Sequence, residues 1–526
     1  MRPIIFAILD GYGIAPATIG NAIAQSRKPN LDQLMFHYPT VTLKASGDAV
    51  GLPYNEMGNS EVGHLTMGLG RVYDQSFLKI TKSIWNKTFF SNAAFKRSIE
   101  HVRRTGGAIH LVGLLSSGGV HSYIEHLYAL LDFFVKEQVQ HLFIHAILDG
   151  RDTGFHSGIN FIARLEERLK LFGVGEIASL SGRSFAMDKD GRWDRIEKAY
   201  HAIGLGSSDE QFSDSRRAIE SSYNRGVYDE QFVPVALRRV GGTEPVGPIR
   251  DGDALVFWNF RPDRARELTT AFVLPGFVKF PRAYLRNLEV VTMTEYDKDL
   301  PSSVAFPIEP ITCCLGSVLS DHRVPQLRIA ETEKYAHVTY FLNGNREAAY
   351  DLEDRILVPS PRVNTYDEEP EMSTHEITMR TIEAIQKKRH DVIIVNFANV
   401  DMVAHTGNFE ATQRAVGALD RAIAELATAV RSVDGTLFVT ADHGNAEDMI
   451  DPQSGMRTTT HSNNPVPCML MHRLWYGRSG VSDLALLPTV AGLSAIAPTV
   501  LDLLGLPIPK SMDGACLTKL LRLPKS

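Results

Sequence analysis

Aspartate, histidine and one serine recur in short clusters placed hundreds of residues apart in this 526-residue chain. Asp10 closes the run IIFAILD and Ser60 sits in MGNSEVGH. Far downstream come Asp401 and His405 in NVDMVAHTG, Asp442 and His443 in VTADHGN, and His461 in TTTHSNNP. Carboxylates and imidazoles together ligate divalent metals, and a serine hydroxyl beside such a metal is activated as a nucleophile. No cluster makes a site alone. Together they supply enough ligands for two metal ions flanking one hydroxyl. An isolated aspartate after an apolar run is more often a turn former or a helix cap, and a lone DxxxH arises often by chance. The metal reading therefore rests on convergence of the separate clusters.

The elements around these residues suit that convergence. Residues 3–9 (PIIFAIL) read as a buried parallel strand that delivers Asp10 at its C-terminal end. VIIVNFANVD repeats the pattern before Asp401, and TLFVTADHGN repeats it before Asp442 and His443. Strand ends along one edge of a parallel sheet are where open α/β folds bind ligands. The spacing of Asp401 and His405 suits one helical face or a turn leaving a strand. Adjacent Asp442 and His443 can ligate together only at a strongly bent strand end. Ser60 followed by Glu61 predicts a helix N-cap, and a helix N-terminus also favours an incoming phosphate.

Between Ser60 and Asp401 no metal ligand is required. Residues 75–308 carry an α/β rhythm of their own, with strands predicted in GGAIHLVGLLSSGGVHS, HLFIHAILDGRD, EIASLSGR and ALVFWNFRPDR. Helices are predicted in YIEHLYALLDFFVKEQ and INFIARLEERLKLF. Here too the strands end in charged residues: His121, Asp149–Asp152, Arg183 and Arg261. The expectation is a discontinuous metal-binding domain, 1–74 with 309–526, and a second α/β domain, 75–308, inserted in it and facing the metal site across a cleft. KDGRWDRIEKAYHA reads as a helix start with a solvated face.

MGNSEVGH, HAILDGRDT, NFRPDRA, ETEKYAHVTYF, PSPRVNTYDEEPEMS, NFANVDMVAHTG, TADHGNAE and THSNNPVP resemble, in the same order, segments of the cofactor-independent (2,3-bisphosphoglycerate-independent) phosphoglycerate mutases. That family belongs to the alkaline phosphatase superfamily. The resemblance spans nearly the whole chain, and GNSEVGH with DGRD and NFRPDRA sets it apart from the superfamily's phosphatases and sulfatases. It implies an alkaline-phosphatase-like metal domain with the inserted α/β domain binding substrate for phosphotransfer. It also implies an isomerase of glycolysis and gluconeogenesis that interconverts 3- and 2-phosphoglycerate through a phosphoserine. Two divalent ions per chain would be needed, Mn2+ by the resemblance although mixed oxygen and nitrogen ligands also allow Zn, Co or Fe, and 2,3-bisphosphoglycerate would not. Asp401, His405 and His461 would hold one ion; Asp10, Asp442, His443 and the Ser60 oxygen would hold the other. His64 and His337 would be structural. Ser60 would be the nucleophile, and Asp152 the acid/base for the substrate hydroxyls. His121, Arg151, Asp152, Arg183, Lys189, Arg261 and Arg264 would line the substrate pocket, with catalytic Lys334 reaching in from the metal domain.

The chain departs from the family pattern after SGR. Ser184 and Phe185 replace a usual Tyr-Tyr, and Lys189 stands where arginine is usual. Lysine keeps the charge but loses the bidentate fork, and Arg192 is the alternative cation. Gly154 and Phe155 replace prolines common after DGRDT, which alters loop shape more than the roles of Arg151 and Asp152.

Composition sets further limits. A chain of this length exceeds one hydrophobic core, which rarely grows beyond about 250–300 residues. The net charge of −6 argues against a general nucleic-acid binder. An anionic substrate must be drawn by a local basic pocket, for which Arg151, Arg183, Arg261, Arg264 and Lys334 are the candidates. Cys313, Cys314, Cys468 and Cys516 show no CxxC spacing and read as buried reduced thiols of a cytoplasmic protein. Asp10 interrupts the N-terminal apolar run too early for a leader peptide. LALLPTVAGLSAIAPTVLDLLGLPIP holds prolines and Asp502, so it reads as a loop and a helix over 497–504, not a membrane span. The expected molecule is a monomer acting on small molecules, with neither nucleic acid nor membrane as partner. One competitor is a metal-dependent phosphomonoesterase or another phosphosugar mutase on the same core; HAILDGRD and NFRPDRA count against it. The other is a non-catalytic binding protein, which should have lost a ligand or the nucleophile. All of them are present.

Overall fold

The structure, a computed structural model, describes residues 1–451 and 454–524. Two compact units divide the chain: Met1–Gln75 with Pro310–Ser526, and Ser76–Glu309.

Among the described residues, the first unit is built on an eight-stranded sheet ordered Glu353–Val358, Gln326–Glu331, Val392–Phe397, Ile4–Leu9, Thr436–Thr440, Val466–Met471, Thr40–Lys44, Thr489–Gly492. Its first five strands are mutually parallel, and Val466–Met471 runs antiparallel to both neighbours. Ile4–Leu9, Val392–Phe397 and Thr436–Thr440 are buried along their whole length. Unbroken apolar runs, not alternating ones, follow because helices cover both faces of a parallel sheet. The long helix Phe409–Ser432, capped by Asn408 accepting from the Ala411 amide at 3.1 Å, packs against Pro29–His37 and Thr374–Lys387. Its buried stripe is rich in alanine (Ala411, Ala415, Ala418, Ala422), so neighbouring backbones approach closely. Each fully buried Ile, Val or Phe of the central strands contributes about 1.5–3 kcal/mol. A charge at Ala7 or Val395, both fully buried, would cost more than that.

The second unit has its own eight-stranded sheet among the described residues, ordered Ser303–Val304, Glu289–Thr292, Ala254–Phe257, Ile109–Leu115, Leu142–Leu148, Glu176–Gly182, Val235–Leu237, Gln211–Phe212. Ala254–Phe257, Ile109–Leu115, Leu142–Leu148 and Glu176–Gly182 are parallel neighbours. The predicted helices form over Ile124–Lys136 and Gly158–Phe172.

Three details differ from expectation. Asn59, not Ser60, caps the helix Ser60–Leu69: its side chain accepts from the Val62 amide at 3.1 Å. That frees the Ser60 hydroxyl. The helix predicted over 497–504 forms over Ile496–Leu503, but the loop before it contains the edge strand Thr489–Gly492. The helix Trp193–Tyr200 continues through a wider π turn over His201–Leu205, longer than the charge pattern suggested.

Candidate active site

Register brings the acidic clusters of the first unit together. Leu9 lies beside Phe397, and Ile8 beside Thr440. Asp10 therefore leaves the sheet next to the segment that carries Asp401, its amide donating to the Phe397 carbonyl at 3.1 Å. The helix Asn399–Ala404 starts immediately after its strand and places Asp401 in its first turn. The four-residue spacing then returns His405 Nε2 to 3.4 Å from Asp401 Oδ1. Asp442 and His443 occupy the bend after Thr440, and the Gly11 amide lies 3.3 Å from Asp442 Oδ1.

Ser60 stands at the centre. Its Oγ accepts from Lys334 Nζ at 2.7 Å and lies 2.9 Å from His443 Nε2 and 3.3 Å from Asp10 Oδ1. Lys334 Nζ also lies 2.7 Å from Asp10 Oδ1 and 2.7 Å from Asp401 Oδ2. Backbone carbonyls orient two imidazoles: Thr459 O is 2.8 Å from His405 Nδ1, and Gly58 O is 2.8 Å from His461 Nδ1. Each carbonyl demands a proton on Nδ1, so both Nε2 lone pairs point inward, and they face each other at 3.1 Å.

Those facing lone pairs repel unless a cation or a proton lies between them. Asp442 Oδ2 is buried, with His64 Nδ1 3.3 Å away. Donor atoms of Asp401, His443 and His461 lie within 4.8 Å of one another, as do those of Asp10, His64 and Asp442. His64 is already engaged on both nitrogens, by the Ser60 carbonyl at Nδ1 (2.8 Å) and by Asn396 Nδ2 at Nε2 (3.1 Å). His443, with Nε2 3.5 Å from both Asp10 Oδ1 and Asp442 Oδ2, is the better third donor for that group. Mixed oxygen and nitrogen donors under net negative charge fit divalent first-row metals.

The electrostatics are those of a crowded anionic site. Burial and the charge of Asp442 push Asp10 up to about 6, against the pull of Lys334. Burial acts the same way on Asp401 and Asp442, but neighbouring groups outweigh it and hold both well below the usual carboxylate range. For Asp401 these are Lys334 and His443; for Asp442 they are His443, His64 and Lys334. Burial alone would lower Lys334, yet Asp10, Asp401 and Asp442 hold its ammonium above the ordinary lysine range. His461 falls to about 4 through burial and the neighbouring His443, whereas the bond to Asp401 raises His405.

The second unit gathers most of the predicted substrate residues at the C-terminal ends of its four parallel neighbours. Arg183 is buried, and its Nη1 bridges Asp149 Oδ1 at 2.5 Å and Asp152 Oδ2 at 2.6 Å. His121 Nδ1 lies 3.6 Å from Asp263 Oδ1, which also meets Arg261 Nε at 3.2 Å. Burial and the charge of Arg183 lower His121 to about 4, so the imidazole is neutral. Arg264 Nη1 donates to the Met187 carbonyl at 3.3 Å, fixing the turn that carries Lys189. Lys189 and Arg151 are exposed, with Arg151 only 3.8 Å from Glu230. Arg192, the alternative to Lys189, is occupied by Asp194 at 3.2 Å.

Sequence reasoning passed over the side chains that hold these residues. Asn396 donates to Asp10 at 2.7 Å, and Asn445 donates to Asp401 at 2.8 Å. Asp149 collects Ser116 Oγ, Arg183 and the amides of Arg151 and Asp152. The available signal was a polar residue inside an otherwise apolar strand (VIIVNF) and the polar run GNAE just beyond Asp442–His443.

The two sheets define a class: an alkaline-phosphatase-like α/β protein with a second α/β domain inserted. A family model described as "BPG-independent PGAM N-terminus" matches residues 80–298, and one described as "Type I phosphodiesterase / nucleotide pyrophosphatase" matches residues 325–461. The 2,3-bisphosphoglycerate-independent phosphoglycerate mutase of Clostridium perfringens (strain 13 / Type A) is 47% identical over 517 residues, 98% of this chain and 99% of that protein. A Methanosarcina acetivorans mutase of the same description, numbered 1, is 45% identical over 516 residues, 98% of each chain. A crystal structure of Leishmania mexicana phosphoglycerate mutase at low cobalt concentration covers 98% of this chain and 97% of its own, at 33% identity and a TM-score of 0.58. This chain is an enzyme and belongs to the 2,3-bisphosphoglycerate-independent phosphoglycerate mutases.

Proposed function

We propose that the protein interconverts 3-phosphoglycerate and 2-phosphoglycerate in glycolysis and gluconeogenesis, through a phosphoserine at Ser60 and without 2,3-bisphosphoglycerate. The observation that carries this reading is the Ser60 hydroxyl, left free by Asn59 and set 2.7 Å from a buried ammonium among converging carboxylates and imidazoles. Asp401, His405 and His461 would hold one Mn2+; Asp10, Asp442, His443 and Ser60 would hold a second. Bound metal would neutralise phosphate charge and favour the Ser60 alkoxide. The cobalt named for the L. mexicana structure supports a first-row divalent ion.

The chain's own residues do the rest. Ser60 Oγ forms a bond to phosphorus while the bond to the substrate oxygen breaks, and Lys334 offsets the charge on Oγ and on the transferring group. The proton Ser60 loses on attack balances the one the departing oxygen gains, with Asp152 as the acid/base that serves the substrate hydroxyls. On return the other hydroxyl gives its proton to Asp152 and Ser60 Oγ is reprotonated, so the cycle is proton-neutral. Arg151, Arg183, Lys189, Arg261, Arg264 and neutral His121 bind the carboxylate and hydroxyls of glycerate, for which arginine forks are suited. In this reading 1–74 with 309–526 is the metal-binding phosphatase-like domain and 75–308 the substrate-binding one. The enzyme works as a cytoplasmic monomer. Its four cysteines are free, and no helix among the described residues is long and apolar enough to cross a membrane.

The rival on the same residues is a metal-dependent phosphomonoesterase, which would release the phosphate to water. Turnover of 3-phosphoglycerate, followed in parallel as 2-phosphoglycerate formed and inorganic phosphate released, separates the two. Mutase turnover should dominate and be unaffected by adding or removing 2,3-bisphosphoglycerate. Phosphate as the main product overturns the mutase assignment.

A further inference from the structure

Glu447 touches none of the proposed ligands, yet it joins the segments that carry them. Its buried carboxylate accepts on Oε2 from the amides of Gly13 (3.0 Å) and Asn445 (2.9 Å). On Oε1 it accepts from Ser462 Oγ and from Asn464 Nδ2 (3.0 Å). Gly13 lies in the loop that follows Asp10, Asn445 follows His443, and Ser462 follows His461. Asn445 extends the chain of contacts by donating its side-chain amide to Asp401 at 2.8 Å. The surrounding backbone is shaped around this group. A Cβ on Gly13 would come within 2.2 Å of Glu447 Cδ, and one on Gly444 within 2.4 Å of Oε1.

A carboxylate with four donors is a full complement for its lone pairs. Such a group fixes distances between loops better than apolar packing does, because each bond specifies one atom pair. We propose that Glu447 is the positioning residue of the metal centre: it sets the mutual register of the Asp10, Asp442–His443 and His461 loops and thereby the affinity for divalent metal. This rests on the metal reading under Proposed function. Outer partners of ligand loops control metal affinity by about 10- to 100-fold in comparable sites.

The bond pattern supplies a discriminating variant. Glu447→Gln keeps an oxygen for the Gly13 and Asn445 amides, and its amide can donate to Ser462 Oγ and to a reoriented Asn464. Glu447→Ala leaves two buried amides unpaired and the loops untied. The test titrates manganese alone into the metal-free full-length protein by calorimetry, with melting of the metal-free protein measured alongside. Wild type and Glu447→Gln should bind within about 3-fold of each other, while Glu447→Ala weakens binding about 10-fold or more. A merely structural residue would lower the melting temperature of Glu447→Ala and leave its manganese affinity at the wild-type value; that result overturns the proposal. Should Glu447→Ala not fold, Ser462→Ala and Asn464→Ala remove the Oε1 bonds singly. Each should weaken manganese binding by about 3-fold, and unchanged affinity in both overturns the proposal equally. Wild-type protein that binds no manganese, zinc or cobalt overturns the metal reading and this inference together. Wild-type binding with unaltered variants overturns this inference alone.

Discussion

In the first unit Asp10, Asp401 and Asp442 share one buried ammonium, Lys334; in the second, Arg183 alone holds two carboxylates and Arg261 holds another. Both groups sit at the C-terminal ends of parallel strands. The first is short of positive charge, which divalent cations would supply in the proposed reading. In the second, Arg183 and Arg261 are already paired, so in the proposed reading an anionic substrate would compete with Asp152 and Asp263 for guanidinium groups that are held in place beforehand. Affinity is lost to that competition and geometry is gained, since an arginine fixed by Asp149 needs no ordering when substrate arrives.

The largest test of this contrast is Ser60→Ala. It should remove mutase turnover by at least about 10^4-fold, the scale seen when nucleophiles are deleted, with folding intact and the second unit unaffected. Trapping of phosphate on Ser60 in the wild type, and none in the variant, is the accompanying measurement. Substantial turnover by the variant breaks the assignment.

Metal removal separates the units by stability. Metal present at 100 times its Kd stabilises the folded state by about 2.7 kcal/mol. Chelation should therefore lower the melting of the first unit while hydrogen exchange in the strands Ile109–Leu115 and Leu142–Leu148 stays unchanged. Equal loss in both units would show that the metal reading misplaces the ions.

Asp149→Asn sharpens the other side. It removes a charged partner from buried Arg183, and such bonds are worth about 1.5–3 kcal/mol, so KM should rise about 10- to 100-fold with a smaller change in kcat. Equal effects on kcat and KM would instead place Asp149 in the chemical step.

Acid should weaken the second unit through its buried histidines. Burial holds His126 down at about 3 and His145 well below the ordinary histidine range. A histidine whose folded pKa is depressed contributes stability that is fully present above its unfolded value, about 6.5, and lost as pH falls toward the folded one. At pH 5 His126 alone should cost about 2 kcal/mol relative to pH 7, at about 1.4 kcal/mol per unit. His126→Gln should flatten the fall in melting temperature between pH 7 and pH 5. An unchanged slope would assign the acid loss elsewhere. The smallest effect is expected for Lys189→Arg: an exposed cation gains a fork, and kcat/KM should shift by no more than about 3-fold.

Much of this was legible in the sequence, for physical reasons. IIFAILD, VIIVNFANVD and TLFVTADH could be read as adjacent parallel strands because continuous apolar runs are what two-sided burial demands. Their register then converged the ligands without further information. Other features depended on partners remote in sequence. Asn59 took the cap expected of Ser60, since both are good caps and only the chain's path decides between them. The edge strand Thr489–Gly492 is short and largely exposed, and it pairs with Thr40–Lys44, so no local pattern marked it. Nothing in TADHGNAE or in the charged strand end Asp149–Asp152 foretold the four-fold hydrogen bonding of Glu447 and Asp149.

Lys334 bears on how the molecule is made. Three buried carboxylates with no counter-charge would be a heavy penalty on a newly synthesised chain, whose burial of unpaired anions costs several kcal/mol each. With its ammonium 2.7 Å from Asp10 and from Asp401, the lysine acts as a placeholder cation supplied by the polypeptide itself. Unlike small zinc domains, whose folding waits for the ion, a chain with this counter-charge built in needs no bound ion to offset its buried carboxylates.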